Sequence, residues 1–154
     1  MKIKINKNRG VTMVEVVLVM SFMAVLFGIS ILSFSNLERK NQLELFATEI
    51  KSTIYQAKSQ TINGIQSALY LDSSRYVLFR GETFSPTDPE NQEKTLPSTL
   101  QIVDINLPNQ TATFVKVSGY LNNYSSPSNF TLRDITTGQS KLISINKLGI
   151  VNIE

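Results

Sequence analysis

Hydrophobic and polar positions divide this chain into three regimes. From Val11 to Phe34 nearly every position is apolar, and Glu15 is the one charge. From Leu43 the pattern turns periodic: Leu43, Ala47, Ile50, Ile54 and Ala57 recur every three or four residues, and Phe46 widens the stripe. Glu44, Glu49, Lys51 and Lys58 take the other faces, as in an amphipathic helix. The pattern predicts one helix from about Thr12 to Ile62, stopped by Asn63 and Gly64, with no proline to interrupt its apolar half.

After Gln66 the repeat shortens to two. "QSALYL" and "RYVLFR" flank "DSS" as one predicted hairpin, and "TLQIVDINL" and "TATFVKV" flank "PNQ" as another. "NFTLRDI", "SKLISIN" and "GIVNIE" follow, separated by turns in which Gly138 and Gly149 can supply positive φ. With about seven short strands and no second helix, the strands must bury their apolar side on Leu43 to Ala57 and on one another. The expected class is α+β, with one or two antiparallel sheets. The proline-punctuated stretch "GETFSPTDPENQEKTLPS" reads as a solvated loop.

Composition narrows the chemistry. The chain has 154 residues with no cysteine and no histidine, which removes disulfides, thiolate metal sites and every imidazole-based triad. Acidic residues are scattered singly, and Asp88, Glu90 and Glu93 lack the spacing of a calcium loop. No enzymatic activity, metal or cofactor is expected. The net charge of +3 comes from the first ten residues: without Lys2, Lys4, Lys7 and Arg9 the remainder is slightly acidic. A nucleic-acid reading from overall basicity therefore fails.

At about 1.5 Å per residue, a helix over 11–34 is long enough to cross a hydrocarbon core about 30 Å thick. The basic flank keeps the N-terminus cytoplasmic and everything after Phe34 outside. An ordinary cleaved signal peptide would have a shorter apolar core with small residues after it. Here the one glycine at the charged-to-apolar junction is Gly10, ahead of the run.

"RGVTMVEVVLVMSFMAVL" resembles the prepilin signal of type IV pilins and pseudopilins: a short basic leader, a glycine, then Val-Thr-Met-Val-Glu opening an apolar helix. The resemblance implies that prepilin peptidase cuts between Gly10 and Val11 and N-methylates Val11. It also implies that Glu15, fifth in the mature chain, pairs with the Val11 amine of a neighbouring subunit during filament assembly. The usual first residue is Phe, so Val11 departs from the pattern. The order of long helix, first hairpin and terminal "LISINKLGIVNIE" is similar to the GspH/FimT group of minor pilins and pseudopilins, and to the small pseudopilins of Gram-positive competence systems.

The implied layout is a leader over 1–10, a membrane and assembly segment over 11–34, the amphipathic half of the helix over 35–63 and a β-rich extracytoplasmic head over 64–154. The implied partners are other pilin-like subunits, prepilin peptidase, an inner-membrane assembly platform and the lipid of the cytoplasmic membrane, in a pilus, a secretion pseudopilus or a DNA-uptake filament. Two further readings compete: a membrane-anchored binding domain, and a filament-tip subunit that captures DNA. Arg133, Lys141 and Lys147 are the candidate DNA contacts, but dispersed cations with nothing to fix them on one face are ordinarily solvated surface.

Overall fold

The computed structural model describes residues 11–154, and the side chains of 11–28 and 41–154. It contains helix α1 (Met13–Ile62) and strands β1 (Ser67–Leu71), β2 (Arg75–Arg80), β3 (Gln92–Thr95), β4 (Leu100–Val103), β5 (Thr111–Thr113), β6 (Asn129–Asp134), β7 (Ser140–Ile145) and β8 (Val151–Ile153). The chain divides into two compact units between Lys40 and Asn41. The second unit, Asn41–Glu154, holds all eight strands.

α1 ends where the sequence predicts. Gly64, at φ +94°, allows the chain to reverse, with the Gly64 amide bonded to the Thr61 carbonyl (3.1 Å) and the Ile65 amide to the Gln60 carbonyl (2.9 Å). This pair of bonds satisfies carbonyls that a helix end leaves orphaned. Thr61 then fastens the helix to β1. Its buried hydroxyl lies 2.9 Å from the carbonyls of both Ala57 and Ser67 and accepts the Ser67 amide at 3.0 Å.

Two four-stranded antiparallel sheets follow, in the orders β3-β2-β1-β5 and β4-β6-β7-β8. The α1 stripe Leu43, Ala47, Ile50, Ile54 and Ala57 is buried in one cluster with side chains of both sheets. The first sheet contributes Leu69, Leu71, Tyr76, Leu78 and Ala112. The second contributes Leu100, Ile102, Phe130, Leu132, Ile143 and Ile145. The sheets also join at the β1–β2 turn, where the Ser73 carbonyl accepts the amide of Ile102 on β4 at 2.9 Å.

The hairpin predicted across "PNQ" does not form. β4 pairs with β6 and β5 pairs with β1, so the two segments lie in different sheets. Left-handed backbone at Asp104, Asn109 and Gln110 breaks the run after Val103 and redirects the chain through a 3-10 turn at Pro108–Gln110. Alternation marks both segments as strands but carries no information about which partner each chooses.

The stretch read as a solvated loop also departs from expectation. Gln92–Thr95 forms edge strand β3, and Phe84 stacks on Tyr70 with ring centroids 4.0 Å apart while meeting Phe79 edge-on at 5.4 Å. The outer face of the first sheet, with Ala68, Val77 and Phe79, is buried beneath this segment. One aromatic in an otherwise polar stretch supplies the anchor.

At the turn after β5, Val117 has φ +70°, and the Ser118 amide bonds to the Lys116 carbonyl two residues back at 2.8 Å. That is a γ-turn in its strained form, with a β-branched residue at the centre. Val117 is 85% exposed, so packing does not offset the strain. Val117→Gly should therefore raise the stability of the full chain by about 1 kcal/mol, the relieved strain exceeding the entropy cost of glycine. Denaturant titration of the two chains in the same detergent checks this; an unchanged or lowered midpoint would refute it.

Candidate functional site

In the first unit, the described side chains run from Val11 to Gly28, and their apolar members are exposed all round, from 45% at Val16 to 85% at Met13. A surface of this kind needs lipid or protein around it. The helix begins at Thr12, whose carbonyl accepts the amides of Glu15 (3.1 Å) and Val16 (3.2 Å) and whose hydroxyl accepts the Glu15 amide at 3.3 Å. Thr12 is thus the N-cap and Glu15 is at the third helical position. "TMVE" has the spacing of a capping box. The half of the box that the structure shows is the Thr12 hydroxyl accepting the Glu15 amide, a signal of helix initiation that the sequence reading missed. A carboxylate in the first turn also faces the positive end of the helix dipole, worth about 0.3–1 kcal/mol.

Glu15 is the only ionisable side chain described in this unit. Among the described residues no helix is long and apolar enough to cross a membrane. The span predicted over 11–34 continues into residues 29–34, whose side chains lie outside the described residues, as do Gly10 and the predicted leader over 1–10.

The candidate DNA contacts do not converge. Arg133 of β6 lies 3.8 Å from Asp104, and Lys141 of β7 lies 3.1 Å from Glu44 on α1. In the β6–β7 register Lys141 stands opposite buried Leu132 and Arg133 opposite Ser140, so the two cations occupy opposite faces of the second sheet. Lys147 sits apart from both, in the turn before β8. The carboxylates weighed for calcium are likewise spoken for: Asp88 accepts the Glu90 amide, Glu90 pairs with Arg80, and Glu93 pairs with Arg75. No group of three or more acidic side chains that could hold a metal occurs among the described residues.

The head has a polar cleft of about 220 Å³ between α1 and the β3 side of the first sheet. Glu49, Ser52, Thr53 and Gln56 line it from the helix, and Tyr76, Gln92 and Lys94 from the strands. Lys94 is paired with Glu49. The Tyr76 ring is fully buried in the core cluster, and its hydroxyl, which makes no hydrogen bond of ordinary geometry, lies close enough to Glu49 and Thr53 to interact with both. Burial and, second, the charge of Glu49 push its pKa well above the usual tyrosine value.

Two solved structures share this fold. One is the minor pseudopilin EpsH from the type 2 secretion system of Vibrio cholerae, at 15% identity and a TM-score of 0.50, covering 73% of this chain and 96% of that one. The other is the type IV minor pilin FimU of Pseudomonas aeruginosa, at 18% identity and a TM-score of 0.54, covering 75% of this chain and 90% of that one. No protein-family model matches the sequence, and no curated protein matches it. At these identities the likeness is one of fold: an α+β pilin fold, as the resemblance in the sequence implies.

Tyr76 generates a test of the cleft. A tyrosine whose folded pKa is raised keeps its proton while the unfolded chain ionises near pH 10, so it destabilises the fold as pH rises above about 10 and has no such effect below. Tyr76→Phe should flatten that alkaline loss. At pH 7, where the hydroxyl keeps its proton folded and unfolded, the change should be no more than about 1 kcal/mol. Thermal unfolding between pH 7 and 11 measures both; an alkaline loss as steep as that of the wild type would refute the assignment to Tyr76.

Proposed function

We propose that this chain is a minor subunit of a type IV filament system, a minor pilin or pseudopilin, whose work is assembly and not catalysis. One observation carries the reading: on a chain with the pilin fold, the N-terminal helix is sheathed in exposed apolar side chains and bears a single carboxylate in its first turn.

In this reading the chain enters the cytoplasmic membrane with its basic leader inside. Prepilin peptidase cuts between Gly10 and Val11 and methylates the new amine. The cut creates a cation one residue ahead of the N-cap Thr12, where the helix dipole disfavours positive charge. Glu15 carries the compensating charge. A carboxylate left unpaired in an apolar core costs about 3 kcal/mol on insertion scales, and the amine of an adjoining subunit offsets that cost only in one stagger of the helices. The platform then draws the subunit out of the bilayer, and apolar neighbours replace lipid around residues 11–28. The head presents a surface to the filament or its tip.

Both steps have direct readouts. The full chain, recovered from membranes containing its cognate prepilin peptidase, should begin at N-methylated Val11 by intact mass and N-terminal sequencing. A chain retaining Met1 to Gly10 beside an active peptidase would point instead to a membrane-anchored binding domain. Glu15→Val should be cut normally and should fall at least about tenfold in sheared filaments, the factor set by roughly 1.4 kcal/mol of lost pairing. Wild-type incorporation of that variant would remove the pairing role.

A further inference from the structure

The end of the head where α1 stops is built from three segments that meet closely. Lys58, in the last turns of α1, donates from Nζ to the carbonyls of Leu148 (2.7 Å) and Gly149 (3.3 Å) in the turn before β8. The hairpin after β5 closes with the Val115 amide on the Tyr120 carbonyl at 2.8 Å, and the Leu121 amide just beyond it donates to the Lys147 carbonyl at 3.0 Å. No side chain fits at the two contact points. A Cβ on Gly119 would stand 2.7 Å from Cδ1 of Ile62, and one on Gly149 would stand 2.7 Å from the Gly119 carbonyl oxygen.

Around this junction apolar side chains face solvent. Ile62, Tyr120, Leu148 and Ile150 are each 42–47% exposed. Val117 is the most exposed of the group, on the hairpin tip, in the γ-turn whose strain no packing within the head offsets. A strained position with no internal compensation points to a contact outside the fold.

The same end is basic. The chain has no acidic residue between Glu49 and Asp72, between Asp104 and Asp134 or between Asp134 and Glu154, the stretches that supply all three segments. The cations of the strands, Arg75, Arg80, Lys94, Arg133 and Lys141, are each paired with a carboxylate. Lys58, Lys116 and Lys147 have no carboxylate partner among the described residues. Glu82 lines a cleft together with Lys116 and forms no ion pair with it.

We propose that this end of the head docks on a bilayer surface containing anionic phospholipid, with Val117, Tyr120 and Leu148 entering the headgroup layer and Lys116 and Lys147 held against the phosphates. The apolar side chains stand on a hairpin tip and a neighbouring turn, and a headgroup layer receives them without a matching surface. Tyrosine, and lysines whose stems lie along apolar surface, are the side chains such an interface favours. A nucleic acid would use the lysines and gain nothing from an exposed valine. Docking of this kind is independent of the filament-subunit reading and of the apolar helix over 11–28.

The test holds the full chain by its apolar helix in nanodiscs of phosphatidylcholine and mixes it with sedimentable vesicles, made either of phosphatidylcholine alone or of an equal mixture with phosphatidylglycerol. Retention on the anionic vesicles should be at least about tenfold that on the neutral ones and should collapse in high salt. Lys116→Gln and Lys147→Gln should each lower it about fivefold, the loss of one lysine at an anionic surface. Val117→Gly, whose unfolding midpoint is expected to rise, should lower it at least about fivefold with no misfolding to account for the loss. Equal retention on the two kinds of vesicle, or wild-type retention by Val117→Gly or by either lysine variant, overturns lipid docking. Where Val117→Gly alone is retained as wild type and short duplex DNA displaces it, the lysines belong to a polyanion site instead.

Discussion

The head depends on one stripe of one helix. Both sheets place their inner apolar side chains on Leu43, Ala47, Ile50, Ile54 and Ala57, every one of them buried. The two alanines are completely inaccessible, so the sheets approach the helix backbone as closely as a methyl group allows. The branched pair Ile50 and Ile54 fills the volume between, each contributing about 1.5–3 kcal/mol of apolar burial. A larger residue at Ala47 or Ala57 would have to separate helix from strands and would disturb both sheets together. That dependence explains why the terminus of the stripe is pinned so heavily, with Gly64 turning the chain and Thr61 bonded to Ser67. β1 begins in a fixed place relative to the helix, and the rest of the first sheet is built from it.

How much of this was legible in the sequence follows from which interactions are local. The helix stripe, its stop at Asn63 and Gly64, the β1–β2 hairpin and the β6-β7-β8 meander depend on periodicity and on turn residues a few positions away, and all four appear as read. Strand partnership across "PNQ" was not legible, because Ile102 and Ala112 satisfy an alternating pattern equally well in one sheet or in two. Three left-handed residues between them decided the matter, and none is a glycine. β3 was invisible for a related reason: "QEKT" has no apolar alternation, and as an edge strand with exposed side chains it has no need of any. Phe84 was the available clue that the preceding stretch packs against something.

At the candidate site the sequence carried the residue and concealed its local reason. Glu15 stands out because it is a charge in an apolar run, yet its relation to Thr12, three residues earlier, is an ordinary signal of helix initiation. The scattered cations show the converse. Arg133 and Lys141 are close in the chain and adjacent in the sheet, and the pleat sends them to opposite faces, where each finds a carboxylate. Two positions eight residues apart in the chain are thus neighbours in the sheet and still face opposite ways.

The place of Glu15 at the helix start and the intermolecular pairing proposed for it are compatible, and their magnitudes say which one would decide. Capping and the helix dipole together are worth about 1 kcal/mol, and another polar residue could supply most of that. Immersion of an unpaired carboxylate in an apolar surround costs about three times as much. Helix initiation alone would therefore not retain a glutamate among the apolar side chains of residues 11–28. Under the proposed cut at Gly10 the balance would change, since the new amine would lie ahead of the same helix and a buried pair offsets what neither charge could bear alone. On that proposal an acid at the third helical position would be tolerable in lipid close to the headgroups, and favourable in a filament only in the one stagger that places a neighbour's amine beside it.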